Sequence, residues 1–155
     1  MIEIYTDGAS SGNPGPGGYG VILRSGNHYK ELSEGYRKTT NNRMELLAVI
    51  SGIESIKKTG QEIMVFSDSK YIIDSVEKKW VFNWVRTEFK DKKNKDLWLR
   101  FLAVYKLHQI KFTWVKGHNG HPENERCDEL AVQASQQRNL LTDIFFEKEE
   151  LKLNI

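Results

Sequence analysis

The order in which strand-like and helix-like segments follow one another limits the fold of this chain more than any other feature of its sequence. Residues 2–7 alternate in side-chain type, a period of two that indicates a β-strand. Two more strands, 18–25 and 29–36, flank Gly26-Asn27, a pair typical of a hairpin turn. The segments predicted after the hairpin are a helix between Asn42 and Gly60, a strand at 62–66, short helical stretches at 70–84, a helix at 94–108, a strand at 110–115 and a helix at 125–137.

This order predicts an α/β protein with a mixed five-stranded sheet. Strands joined by short turns pair antiparallel, and strands separated by helices run parallel. The length of 155 residues corresponds to one domain, and no repeat or break in composition marks a second. We therefore expect a single domain over 1–155, with a tail at 139–155 to which the pattern assigns no structure. Its apolar side chains are expected to pack on the body of the protein: Leu140, Leu141, Ile144, Phe145 and Phe146.

Three features of the sequence predict a cytoplasmic protein without a membrane partner. The first ten residues carry Glu3 and Asp7 and lack the basic and apolar regions of a signal peptide. The longest uncharged apolar run, Leu46–Ile50, is too short to cross a bilayer. The single cysteine, Cys127, cannot form an intrachain disulfide, which fits a reducing compartment.

Two carboxylates, Asp7 and Asp68, directly follow predicted strands. If those strands are parallel neighbours, their carboxyl ends meet, and binding sites in α/β sheets collect at such an edge. Each acid also has a purely structural interpretation. Asp7 precedes Gly8 in an ordinary turn pair, and Asp68 can cap the helix that follows it.

Two more acids join this pair as candidates. Glu45 lies at the border of the apolar stripe of the first helix, where a carboxylate is costly unless a cation compensates it. The alternative is a capping box in which Asn42 is the N-cap and Glu45 the third helical residue. Asp128 lies in the last predicted helix, where its alternative is an exposed helix position.

Four acids within reach of one another need a cation, because they cannot all stay ionised alone. Oxygen ligands favour Mg²⁺ or Mn²⁺ over zinc, and paired Mg²⁺ ions suit phosphodiester hydrolysis. Three other chemistries are less well supported. His118, His121 and Cys127 lack a fourth zinc ligand, and Cys127 lies in a predicted helix without a nucleophile motif. The glycine-rich segment 12–18 lacks the lysine of a phosphate-binding P-loop.

Charge is concentrated in one part of the chain. The whole protein carries a formal charge of +2, yet residues 78–95 hold seven basic side chains against two acidic ones, a local charge of +5. Such a block, which also contains Trp80 and Trp84, indicates an anionic partner. A solvated face is the alternative.

Four blocks of the sequence are similar, in order and separation, to type 1 ribonuclease H, the bacterial ribonuclease HI enzymes: YTDGASSGNPGPGGYG, TTNNRMEL, SDSKY and WVKGHNGHPENERCDELA. The similarity extends to about Ala134. It implies a ribonuclease H-like fold and an endonuclease that hydrolyses the RNA strand of RNA–DNA hybrids, largely independent of sequence, leaving 5′-phosphate and 3′-hydroxyl ends. It also implies two Mg²⁺ ions, with Mn²⁺ as a substitute, bound by the catalytic acids Asp7, Glu45, Asp68 and Asp128. His118 resembles the family's histidine that assists proton transfer or product release.

The resemblance further implies contacts with the hybrid, a duplex that must be recognised by the 2′-hydroxyls of one strand. Trp80 is expected to touch the DNA strand, and Trp84 to pack inside the protein. Ser10 and Lys70 stand where some members carry cysteine and glutamine. The stretch from Trp84 to Trp98 is several residues shorter than in well-known bacterial members and includes Glu88 and Asp91, which predicts weaker binding of the DNA strand. The side chains expected at the substrate are Ser10, Asn13, Thr40, Asn41, Asn42, Lys70, Trp80, Arg86 and Lys90.

The resulting interpretation is a monomeric enzyme. Its first alternative is a catalytically silent module that binds hybrids, and this predicts the loss of one of the four acids. A polynucleotidyl transferase or an excised reverse-transcriptase domain is a second alternative, since related folds serve both.

Overall fold

The computed structural model describes residues 1–117 and 120–153. Five strands form one sheet in the order β3-β2-β1-β4-β5, in which β1 pairs antiparallel with β2 and parallel with β4. The mixed five-stranded sheet is therefore confirmed. The elements are β1 (Ile2–Ser10), β2 (Gly15–Ser25), β3 (His28–Thr39), α1 (Asn41–Glu54), β4 (Glu62–Ser67), α2 (Lys70–Glu77), α3 (Trp80–Arg86), α4 (Lys95–Tyr105), β5 (Gln109–Trp114), α5 (Pro122–Ser135) and α6 (Ile144–Leu153).

The start of α1 differs from the prediction. Thr40, in an extended conformation, is the N-cap, and its Oγ1 accepts a hydrogen bond from the Arg43 N–H at 3.2 Å. Both Thr40 and Asn42 are good capping residues, and the earlier of the two is used. Asn42 is thus a helical residue, and the expectation that it caps the helix is wrong. The helix also ends earlier than predicted, at Glu54 rather than near Gly60.

The core lies on both faces of the sheet because side chains alternate along each strand. Ile4 contributes to a large cluster formed with α1 and α4, which includes Met44, Ile50, Trp98 and Phe101. On the opposite face, Tyr5 packs with Ile22, Phe66 and the α5 residues Cys127 and Leu130. Helices α1 and α5 therefore approach β1 from opposite sides of the sheet.

The tail contains α6, which the sequence pattern did not predict. The backbone of Leu141 exchanges hydrogen bonds with β3, donating to the Gly35 carbonyl and accepting from the Arg37 N–H, each at 2.9 Å. The expectation that the apolar residues of the tail pack on the body is half right: Leu140, Phe145 and Phe146 are partly buried, whereas Leu141 and Ile144 are exposed.

A buried ion pair also attaches the tail. Arg43 in α1 binds the Asp143 carboxylate at 2.7 Å, and the Thr39 hydroxyl donates to the same carboxylate at 2.8 Å. This link spans one hundred residues of sequence, and no local pattern announces it. None of the helices within the described ranges is long and apolar enough to cross a membrane.

Candidate active site

Three of the four candidate acids come together at one edge of the sheet. One carboxylate oxygen from each of Asp7, Glu45 and Asp68 lies within 4.8 Å of the other two. The parallel register explains the first pair: Tyr5 pairs with Phe66, so that Asp7 and Asp68 each stand two residues beyond the last parallel pair. This is the expected meeting of carboxyl ends.

The structure excludes the turn interpretation of Asp7 and the helix-cap interpretation of Asp68. Asp7 does not lie in a turn, because β1 continues to Ser10 in its pairing with β2, where Asp7 faces Gly20. Asp7 is therefore inside the strand rather than beyond it, and only the pairing with β4 ends before it. Asp68 does not cap α2, since Ser69 does so, its side chain accepting from the Ile72 N–H at 3.3 Å.

Glu45 reaches the site because α1 lies unusually close to β1. A Cβ atom at Gly8 would stand 2.4 Å from the Glu45 backbone nitrogen, so only glycine permits this approach. The capping-box alternative is excluded, because with Thr40 as N-cap the third helical residue is Arg43. The Glu45 side chain points into the protein: the residue is 9% exposed, and its buried Oε2 has no hydrogen-bond partner among the described residues.

Burial makes this cluster reluctant to ionise. Burial, together with the charges of Asp68 and Asp128, raises the pKa of Asp7 to about 7. Two hydrogen bonds oppose this rise, one with the Glu45 carboxyl group and one from the Gly8 N–H to Asp7 Oδ1 at 2.9 Å. Burial, followed by the charges of Asp7 and Asp68, holds the pKa of Glu45 well above its ordinary value. Hard oxygen donors, mutual repulsion and an unsatisfied buried oxygen together fit a divalent cation.

Asp128 stands close to this group without belonging to it. It lies half-buried in α5, on the face of the sheet opposite α1, and its charge acts on Asp7. A Cβ atom at Gly20, the partner of Asp7, would stand 2.2 Å from the Cys127 carbonyl oxygen, so α5 also approaches the sheet closely. Asp128 therefore flanks the three carboxylates from the second side.

Without metal, the site should make the protein less stable as the pH rises. Because the folded-state pKa of Asp7 lies above its unfolded value, its contribution is fully present below about pH 4 and is lost as the pH rises through about 7. We expect the free energy of unfolding in EDTA to fall by about 2 kcal/mol between pH 5 and 8.

Urea unfolding of the native protein and of Asp7→Asn, in EDTA across this pH range, measures that slope. The difference between the two slopes cancels the contributions of all titrating groups that the two proteins share. The pKa of Glu31 is lowered to about 2, so Glu31 changes the stability only below this pH range. Equal slopes for the two proteins would contradict the prediction.

The short polar side chains expected at the substrate form a connected group beside the acids. The Ser10 hydroxyl donates to Asn41 Oδ1 at 3.0 Å, and the Asn41 backbone N–H donates to Asn13 Oδ1 at 3.1 Å. Thr40 and Asn42 share with Asn13 the wall of a cavity of about 700 Å³. Other walls of this cavity carry lysines of the basic block and residues of α6, which the sequence did not place together: Lys92, Lys93, Lys95, Phe145, Glu149 and Glu150.

The two tryptophans of the basic block differ in exposure. Trp80 is 42% exposed, with the Lys78 ammonium 5.3 Å from its ring centroid. Trp84 is partly buried and packs edge-on against Phe89 and Trp98. The side chains of Arg86 and Lys90 are exposed nearby in sequence.

The remaining candidates fall in different places. Lys70 is exposed at the start of α2, with its ammonium 4.1 Å from the centroid of Trp114. His118 lies outside the described residues. His121 has a structural role, because its Nδ1 accepts a hydrogen bond from the Asn124 N–H at the start of α5. Cys127 is fully buried, and burial raises the pKa of its thiol, which opposes a role as nucleophile.

Comparison with known proteins gives a consistent result. The sequence profile of a family described as RNase H matches residues 1–136, a range that contains all four acids. A ribonuclease H of Desulforamulus reducens is 52% identical over 148 residues, which are 92% of each chain. Among solved structures, LC9-RNase H1, described as a type 1 RNase H with the type 2 active-site motif, has 32% sequence identity and a TM-score of 0.76 over 86% of this chain and 71% of that one. LC11-RNase H1 in complex with RNA/DNA hybrid has 27% identity and a TM-score of 0.67 over 86% and 96% of the two chains.

Proposed function

This chain belongs to the ribonuclease H family, and we propose that it hydrolyses the RNA strand of RNA–DNA hybrids with little dependence on sequence. The observation that carries the proposal is the convergence of Asp7, Glu45 and Asp68 from β1, α1 and β4. Water attacks the phosphorus, the bond from phosphorus to the 3′ oxygen breaks, and that oxygen leaves with a proton. The products are a 5′-phosphate and a 3′-hydroxyl.

The family and the acidic cluster indicate a divalent metal, and we take it to be a pair of Mg²⁺ ions that Mn²⁺ can replace. When bound, they supply Lewis-acid stabilisation of the attacking and leaving oxygens. Asp7, Glu45, Asp68 and Asp128 hold them. Glu45 must give up the proton that its burial favours, so metal binding and proton release are coupled at this residue. His118 assists proton transfer or product release.

Hybrid recognition is assigned to two surfaces. Ser10, Asn13, Asn41 and Asn42 face the minor groove, where short polar side chains and backbone amides can read 2′-hydroxyls. Thr40 belongs to a pocket for a DNA phosphate, and Lys70 contacts the backbone beside the acids. The basic block between 78 and 95, with Trp80, Arg86 and Lys90, grips the DNA strand.

The basic block should contribute to affinity and not to chemistry. Trp80→Ala is expected to raise KM for the hybrid about fivefold, because it removes an exposed ring that packs on the nucleic acid. Replacing Arg86 or Lys90 by Gln should each reduce the slope of log KM against log salt by about 0.9.

Michaelis parameters between 50 and 200 mM salt measure these effects. Lys58→Gln, an exposed lysine before the amino end of β4, serves as the control, since that end of the sheet is opposite Asp68. If Trp80→Ala, Arg86→Gln and Lys90→Gln all kept the native KM, the basic block would not be part of the substrate site.

The enzyme itself is tested with end-labelled RNA in an RNA–DNA hybrid, incubated with Mg²⁺ and with EDTA. Single-stranded RNA, double-stranded RNA and double-stranded DNA are the matched substrates. Cleavage of the hybrid alone, abolished by EDTA, supports the proposal. Tight hybrid binding without cleavage in Mg²⁺ or Mn²⁺ would favour the silent binding module instead, for which no relative gives support.

We further propose that the chain acts as a single-domain monomer in the cytoplasm. One five-stranded sheet with a core packed on both of its faces supports the single domain. Sedimentation of the purified protein at micromolar concentration tests the oligomeric state.

A further inference from the structure

Trp114 lies at the active-site edge of the sheet, although the resemblance assigns it no role. It is the last residue of β5 and pairs in parallel register with Ser67, the residue before Asp68. Its ring is 43% exposed. Its indole Nε1–H donates to the backbone carbonyl of Asp68 at 3.3 Å, and the Lys70 ammonium lies 4.1 Å from its centroid.

The indole N–H adds one of three hydrogen bonds that hold the turn carrying Asp68. On either side of Asp68, the Val115 N–H donates to the Ser67 carbonyl at 2.9 Å, and the Ser69 N–H donates to Ser67 Oγ at 3.1 Å. The Asp68 carbonyl receives the Trp114 N–H. The direction of the Asp68 side chain therefore depends in part on this indole.

The Trp114 ring also accounts for the position of the Lys70 ammonium. Lys70 is the first residue of α2, and a cation in the first turn of a helix is opposed by the helix dipole. Lysine is a flexible chain that ends in a strongly hydrated point charge. An aromatic face at 4.1 Å attracts that charge and restricts it to one place, two residues from a metal-binding carboxylate.

We propose that Trp114 is a positioning residue of the reaction. Its ring holds the Lys70 ammonium for a backbone phosphate of the bound hybrid, and its N–H holds the Asp68 turn for metal binding. The cluster of acids repels the phosphates of the substrate, and a fixed ammonium beside Asp68 offsets that repulsion where the strand approaches. The inference rests on the proposed hydrolysis of hybrids.

Two substitutions separate the two contacts of Trp114. Trp114→Leu removes both ring and N–H, whereas Trp114→Phe keeps an aromatic face and removes only the N–H. Lys70→Gln removes the charge, and Lys58→Gln is the matched control at the other end of the sheet. The readouts are kcat, KM between 50 and 200 mM salt, and the Mg²⁺ requirement. The Mg²⁺ requirement is taken both from the concentration for half-maximal rate and from direct titration of the protein with Mg²⁺ in the absence of hybrid.

Lys70→Gln and Trp114→Leu should each raise KM about two- to fivefold and lower the salt slope of log KM by up to about 0.9. Their KM effects should not add in the double variant, because both remove the same contact. Trp114→Phe should keep KM within about twofold of native while raising the Mg²⁺ requirement about two- to fivefold.

The outcomes distinguish this inference from the function on which it rests. If the native protein fails to cleave the hybrid, the proposed function fails. If it cleaves and Lys70→Gln keeps the native KM and salt slope, the phosphate contact is wrong. If the KM effects of Lys70→Gln and Trp114→Leu add, Trp114 does not act through Lys70. If Trp114→Leu does not fold, the salt slope of Lys70→Gln and the Mg²⁺ requirement of Trp114→Phe still test the inference. Native values for both would overturn it.

Discussion

Replacing Asp7 by Asn, or Glu45 by Gln, should reduce hybrid cleavage at least ~10³-fold while leaving hybrid binding almost unchanged. Each amide keeps the shape of the side chain and removes the charge that holds a cation. Asp7 stands at the centre of the group, since the charges of both Asp68 and Asp128 act on it. Loss of metal stabilisation worth about 4 kcal/mol corresponds to this factor.

Single-turnover cleavage with saturating enzyme measures the effect on chemistry, and a binding titration in EDTA measures affinity separately. Glu54→Gln is a matched control, because Glu54 ends the same helix nine residues after Glu45 and forms an exposed pair with Arg100. It should cleave as the native protein does. Cleavage by Asp7→Asn or Glu45→Gln within tenfold of native would place the metal elsewhere.

The position of the two aspartates could be predicted from the sequence because it follows from regular structure. Parallel neighbouring strands bring their carboxyl ends together, and Asp7 and Asp68 come at equivalent points of β1 and β4. The exact end of β1 could not be predicted, because Asp7 and Gly8 look like a turn until β2 is seen to pair through to Ser10. Local signals identify an element better than they identify where it ends.

Glu45 shows how two local signals can compete. Thr40 and Asn42 are both capping residues. If Asn42 were the N-cap, Glu45 would be the third helical residue and a partner in a capping box. The structure uses Thr40, and Glu45 is left facing Asp7 with an unsatisfied oxygen. The close approach that makes this contact needs glycine at position 8, a signal that was visible in the sequence only as part of a turn pair.

Contacts between segments that are distant in the sequence could not be predicted from the sequence pattern. Trp114 ends a strand whose apolar alternation indicates only that one face is buried, and its contact with Lys70 depends on the pairing of β4 with β5. The attachment of the tail to Arg43 likewise depends on tertiary structure. A charge balance located the basic block, but it could not show that Lys92, Lys93 and Lys95 share a cavity with the tail helix.

Arg43→Met should be the most destabilising of the substitutions considered, at about 3–5 kcal/mol. The Arg43 side chain is 3% exposed and forms two bidentate pairs, with Asp143 at 2.7 and 3.0 Å and with Asp96 at 2.9 and 2.7 Å. Methionine fills much of the space but leaves the Asp143 carboxylate, itself 8% exposed, without its cation. An unpaired buried charge is the reason for the large cost.

Urea unfolding at pH 7 in EDTA measures this cost, and Arg37→Met supplies the comparison. Arg37 pairs with Glu147 of α6, four residues after Asp143, at 3.0 and 2.9 Å, but its side chain is 60% exposed, so its removal should cost far less than that of Arg43. The double variant Arg43→Met/Asp143→Leu should recover part of the loss, because it removes the charge that the single variant strands. If Arg43→Met costs no more than Arg37→Met, the buried pair does not hold the tail, and the attachment of α6 would then depend on the packing of Phe145 and Phe146 and on the backbone bonds to β3.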